Sequence, residues 1–190
     1  MKILVVVDMI KAFAQKGGSL YFPAAEEIIP FVKEKIDEYL ERGDQILLLC
    51  DDHLPDDKEF KRFGEHAVSG TEDADPVEAL AYIMHHKNVT WIGKTRYSAF
   101  FDTILEDIID FNDWEEATFE FAGVCTGICV MDTVGDFANR DLKTAVYRDG
   151  VADLPVAAYL GTKLPIGITD ENLKELWLGR MSFLYGTKIL

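Results

Sequence analysis

The chain has 190 residues, 48% hydrophobic and 28% charged, the balance of a globular protein long enough to bury a real core. A formal charge of −15 excludes a nucleic-acid partner, because phosphate binding needs a basic surface, and argues against an anionic membrane. No run approaches the roughly 20 apolar residues that span a bilayer, and the first apolar run stops at Asp8, too short for a secretory leader.

Residues 2–7 (KILVVV) predict a strand buried on both faces. Residues 23–41 carry Ile28, Ile29, Phe31, Val32, Ile36 and Tyr39 near helical spacing, with Gly43 just past the end. Residues 45–50 predict a second buried strand, and 51–75 a polar loop without period. A helix over 76–86, a strand over 89–92 and a helix over 102–111 follow, with Asp102 as the possible cap of the last. Residues 117–122 predict a strand ended by a turn at Gly123, then a helix from Thr126 or Gly127 to Arg140 and a strand over 143–147. A helix over 170–185 and a last strand near 187–190 complete the chain.

Strands alternating with helices predict one α/β domain over residues 1–190. Its architecture is three-layered: a mostly parallel sheet of about six strands with helices on both faces. Ligands of such sheets bind beyond the carboxyl ends of the strands. Asp8, the loop after Cys50, the loop after Ile92 and the turn at Gly123 all lie at such ends.

Three cysteines (Cys50, Cys125, Cys129) are sparse and odd in number, so no disulfide framework is expected and a reducing, cytoplasmic setting is. Cys129 falls in the first turn of the helix after Gly123, where the helix N-terminus lowers a thiol's pKa and free N–H groups can hold an oxyanion. It is either such a nucleophile or a small inert core residue; Cys125, in the turn itself, is the weaker candidate. Asp8, directly after the apolar run, is either a solvated loop residue or a base held in a pocket. Lys94 would ordinarily be a surface residue. A thiol, a carboxylate and a lysine at three strand ends together make an activated-nucleophile set. Asp51 and His53 alternate on extended chain, with Glu59 and His66 further along the same loop. Such oxygen and imidazole donors suit zinc, iron or manganese, although acidic loops with two histidines are common without a metal.

In this order the motifs resemble the isochorismatase-like cysteine hydrolase superfamily and, within it, the nicotinamidase/pyrazinamidase family. Asp8 with Phe13, the D-x-H at Asp51 to His53, the H-x-V-x-G-T from His66 to Thr71, the K-x-x-Y-S-A-F from Lys94 to Phe100 and the G-V-x-T-x-x-C-V from Gly123 to Val130 carry the resemblance. It implies that Cys129 attacks an amide carbonyl, that Asp8 takes the thiol proton and that Lys94 pairs with the charges. It also implies an oxyanion hole from the N–H groups of Cys125 and Cys129, with a cis peptide at Val124–Cys125. One divalent ion, zinc first and iron or manganese as alternatives, would be held by Asp51, His53 and His66, with Glu59 as a further ligand. Phe13, Phe63 and Tyr97 would surround the substrate ring. The chain departs from many relatives at Ile10, Ala12, Asp52 and Ala67. Nicotinamide is the expected substrate, another small carbamoyl or ureido amide the nearest alternative, and a non-catalytic binding protein on the same fold the alternative of a different class. A homo-oligomer is expected.

Overall fold

The computed structural model describes residues 1–159 and 167–190. Its strands are β1 (Lys2–Val7), β2 (Gln45–Asp51), β3 (Val89–Lys94), β4 (Thr118–Val124), β5 (Lys143–Ala152) and β6 (Lys188–Ile189). They form one parallel sheet in the order β3-β2-β1-β4-β5-β6. Helices α1 (Lys11–Ala14), α2 (Pro23–Glu27), α3 (Ile29–Arg42), α4 (Phe60–Phe63), α5 (Leu105–Phe111), α6 (Met131–Ala138) and α7 (Asp170–Tyr185) connect them.

Side chains alternate across a strand, so a strand between two helical layers must be apolar at every position. In β1, Leu4 and Val6 pack in one core with Val32, Ile36 and Tyr39 of α3. Ile3, Val5 and Val7 pack in the other, with Ile109 of α5, Val134 and Phe137 of α6, and Met181 of α7. Helices therefore cover both faces, as the alternation predicted.

Several element boundaries differ from the sequence reading. The helix expected over 23–41 is broken at Ile28 into α2 and α3, because Pro30 has no N–H to continue the ladder. Gly43 does close α3, at φ +75. The helix expected over 76–86 is a tighter six-residue helix at Glu78–Ile83, with three residues to the turn. Its buried residues Leu80 and Ile83, with Val77 just before its start, recur every third position, the period of a 3₁₀ helix. Asp102 caps nothing: it takes φ +54, and α5 begins three residues later. The helix expected over 126–140 opens with a wide π-type turn, Thr126–Val130, before α6. The loop over 51–75 contains α4 and a short turn at Glu72–Ala74. Strand β5 runs on to Ala152 through a bulge, since Phe121 pairs with Val146 but Gly123 with Val151. Helix α7 keeps its expected span and is closed at its start by a reciprocal Thr169–Asn172 capping box.

The chain runs outward from β1 through β2 to β3, then returns to place β4 on the other side of β1. The strand order reverses there, and the loops leaving β1 and β4 diverge to open a crevice. Gly123 makes the approach possible. It pairs with Val7 at φ +117, and an added Cβ would stand 2.0 Å from the Val7 carbonyl oxygen.

Candidate active site

Asp8 is the first residue beyond β1. Its backbone turns to φ +51, a conformation uncommon outside glycine, and the carboxylate is 1% exposed. Oδ1 accepts the Asp51 N–H at 2.7 Å, and Oδ2 lies 2.9 Å from Lys94 Nζ. Lys94 ends β3 opposite Asp51 of β2. Its side chain is fully buried, and its ammonium also hydrogen-bonds Asp51 Oδ1. Burial alone would discharge this lysine, but the Asp51 and Asp8 charges hold its pKa well above the ordinary value. Burial, then the Asp51 charge, raise the Asp8 carboxyl to about 6 against the pull of Lys94.

Cys129 is in the turn after β4, and its Sγ lies within 4.8 Å of carboxylate oxygens of Asp8 and Asp51. The helix-terminus argument predicted a lowered thiol pKa, and the balance runs the other way. Burial pushes the Cys129 thiol well up, Lys94 opposes it, and Asp8 and Asp51 add to it. The resting sulfur is therefore a thiol beside a carboxylate able to take its proton. The Val124–Cys125 peptide is cis. In the turn that follows, Cys125 O accepts the N–H groups of Ile128 at 3.1 Å and Val130 at 3.2 Å. Asp153, on the segment after β5, accepts the Gly127 N–H at 2.8 Å. No sequence signal singled Asp153 out, because its reach depends on the bulge in β5.

Asp51, His53 and His66 each offer a ligand atom within 4.8 Å of the others, and all three residues are buried. His66 Nδ1 donates to Gly64 O at 2.8 Å, which leaves its Nε2 as a lone pair. His53 Nδ1 faces Asp57 Oδ2 at 3.3 Å, and its Nε2 is buried with no hydrogen-bond partner. The two Nε2 atoms stand 3.6 and 3.8 Å from Asp51 Oδ2. Outer ring nitrogens anchored on acceptors, with inner ones converging on a carboxylate, make a donor set that fits a divalent ion. Asp57, which the sequence reading passed over, also receives Arg96 at 3.0 Å and the Glu59 N–H at 2.9 Å. Its carboxyl is held at about 2: burial opposes, and these bonds prevail. Glu59 lies outside the converging trio, 3.9 Å from Arg96, and burial followed by the Asp51 charge raises its carboxyl.

These groups meet in a cavity of about 360 Å³. Asp8, Asp51, Glu59, His66, Cys125 and Cys129 line it together with Phe13, Phe63 and Tyr97. His53 is completely buried and is not part of the wall. Phe13 and His66 rings lie 5.9 Å apart, and Phe63 and Tyr97 meet edge to face at 6.4 Å. Phe60, which the sequence reading missed, packs against both His53 and His66. Its spacing of three from Phe63 on one helical turn was the available signal. Ile10 and Ala12, the departures nearest the site in sequence, are fully buried and do not reach the cavity.

The isochorismatase domain family model matches residues 2–160. An uncharacterized isochorismatase family protein, PncA, of Bacillus subtilis is 31% identical over 159 residues, covering 80% of this chain and 86% of that protein. A probable inactive nicotinamidase of Arabidopsis thaliana is 26% identical, covering 90% and 92%. Among solved structures, the pyrazinamidase/nicotinamidase of Streptococcus mutans superposes with a TM-score of 0.86 at 26% identity over the whole of both chains. The pyrazinamidase of Pyrococcus horikoshii in complex with zinc superposes at 0.79 with 27% identity, over 100% of this chain and 98% of that one. With its fold, its buried thiol and its matched sequence in agreement, the chain belongs to the isochorismatase family, among its amide-cleaving hydrolases.

Proposed function

We propose that the protein is a metal-assisted nicotinamidase, converting nicotinamide and water to nicotinate and ammonia. The observation that carries this reading is the placing of two kinds of chemistry on one aromatic cavity. Cys129 with Asp8 supplies the nucleophile, and Asp51 with His66 brings the inner edge of the ligand trio to the wall. A divalent ion held by Asp51, His53 and His66 would orient the ring through its pyridine nitrogen. Zinc is favoured by the two-imidazole, one-carboxylate donor set and by the zinc complex of the Pyrococcus horikoshii relative.

Asp8 then takes the Cys129 proton as the sulfur attacks the amide carbon, and the backbone N–H groups of Cys125 and Cys129 receive the developing oxyanion. Asp8 returns the proton to the departing ammonia. Water attacks the resulting thioester, with Asp8 again as base, releasing the carboxylate and restoring the thiol. Lys94 stays charged throughout and keeps Asp8 ionised between turnovers. The aromatic rings of Phe13, Phe63 and Tyr97 hold the pyridine ring in register with the sulfur.

The test is ammonia release from nicotinamide, benzamide and a panel of carbamoyl and ureido compounds. Nicotinamide should lead the panel. Equal efficiency on benzamide, which lacks the ring nitrogen, would reduce the assignment to a general cysteine amidase.

A further inference from the structure

A second recess of about 610 Å³ adjoins the active-site cavity and shares Glu59 and Tyr97 with it. Its other lining residues are all cations: Lys58, Lys61, Arg62 and Arg96. This is an unexpected place for them in a chain carrying 34 acidic and 19 basic residues. Several cations elsewhere are matched, as Lys2 is with Glu120, Lys33 with Asp37 and Arg140 with Glu106, and those that are not, such as Lys16, Lys87 and Lys188, line no cavity with a second unpaired cation. At the recess only Arg96 is, through Asp57 and Glu59. Lys58, Lys61 and Arg62 are exposed and form no ion pair among the described residues. Arg62 lines the recess beside Tyr97, one of the two residues shared by both cavities. Gathering like charges costs free energy unless an anion is drawn in, and a chain of formal charge −15 offers an anion few other such clusters. A neutral ring amide would make no use of such a recess.

We propose that the recess is a subsite for an anionic arm, a carboxylate or a phosphate, carried by the amide substrate beyond the ring that fills the aromatic cavity. The inference rests on the amidase reading above and narrows its substrate class. The amide end reaches Cys129, and the arm passes Tyr97 into the cluster. Lys58 and Lys61 are its most available partners, because neither holds another group in place.

The test uses nicotinamides bearing a carboxymethyl arm at each open ring carbon in turn, against the same set with a neutral hydroxyethyl arm. At one position or more, the acid should exceed its neutral partner in kcat/KM by about tenfold at low salt, the sum of a few exposed charge pairs. Added salt should narrow that ratio. Lys58→Ala/Lys61→Ala should abolish the preference, and Lys58→Arg/Lys61→Arg should retain it. A ratio near one at every position, or one that survives the alanine pair, overturns the subsite. An effect of inorganic phosphate on neutral-amide turnover that the alanine pair removes would assign the recess to a free anion and overturn the arm. If no amide is hydrolysed, the amidase reading fails by itself. Calorimetric binding of the acids then still decides the subsite: a Kd raised about tenfold by the alanine pair supports it, and an unchanged Kd overturns it.

Discussion

Asp51 and Lys94 face each other across β2 and β3, and each serves two neighbours. One Asp51 oxygen takes the Lys94 ammonium, while the other turns to the imidazoles of His53 and His66. Lys94 in turn reaches Asp8, so the Asp8 carboxylate and the Asp51, His53 and His66 trio are joined through a single buried lysine. The two halves of the site are thereby held in fixed relation, and loss of the lysine should be felt in both.

Lys94→Met keeps the stem and removes the charge, leaving Asp8 and Asp51 buried without a cation. We expect a loss of stability of about 3–5 kcal/mol in urea unfolding, together with loss of turnover. Asp8→Asn removes the proton acceptor and one of the two charges that face Lys94, while Asp51 still pairs with that lysine. It should lower turnover by about 10² to 10⁴ and slow alkylation of Cys129 by iodoacetamide at neutral pH. Turnover equal to wild type in the Asp8 variant would remove that residue from the mechanism.

Cys129→Ala should abolish turnover with metal content and folding intact, because only the attacking sulfur is lost. Cys125→Ala should retain substantial activity, its assigned contribution being a backbone N–H. The reverse pattern, measured by ammonia release alongside circular dichroism, would transfer the nucleophile to Cys125.

Purified protein should carry one divalent ion by elemental analysis, and His53→Ala or His66→Ala should lose it. Asp57→Asn keeps every ligand but weakens the anchor on His53 Nδ1, and should cost about 10 to 100-fold in metal affinity. Chelated protein should bind nicotinamide poorly, yet its thiol should still be alkylated, since Asp8 and not the ion takes the proton. Full efficiency on nicotinamide after chelation would sink the metal reading.

The fold was legible because each strand announces itself. Residues 3–7 and 46–50 are unbroken apolar runs, which a sheet covered on both faces accommodates. The strand ends then pointed to Asp8, Lys94 and Cys129, and the structure brings those three together. Contacts that depend on how loops close were not legible. Asp57 and Phe60 sit in a segment without periodicity, and they matter only because α4 folds back over His53 and His66. The thiol pKa was misjudged for a related reason. Local sequence gives the helix terminus, but the burial that outweighs it is a property of the assembled crevice. The turn after β4 was legible as a turn into a helix, but its π-type geometry and its Asp153 anchor belong to the tertiary fold.

Glu120, far from the cavity, allows a test of stability against pH. It is 2% exposed on β4, and its carboxylate receives the hydroxyls of Tyr39 and Tyr147 and the ammonium of Lys2 at 2.7 Å. Burial by itself raises its pKa, but the bonds from Lys2, Tyr147 and Tyr39 prevail and hold it below the ordinary value. A carboxyl depressed in the folded state contributes stability above its unfolded pKa, and that contribution is lost as pH falls through the folded one. Glu120→Gln keeps the shape and removes the charge. It should therefore cost about 1–3 kcal/mol at neutral pH, the range for charge-assisted bonds. The deficit should begin to shrink as pH drops below the ordinary glutamate value of 4.5, where the unfolded chain takes up the proton, and vanish once pH falls through the lower folded value, where the native carboxyl is protonated too. Urea unfolding of both proteins across that range isolates the effect, since all other carboxyls titrate alike in the pair. A deficit that stays constant or grows towards acid would show that the network does not hold Glu120 ionised.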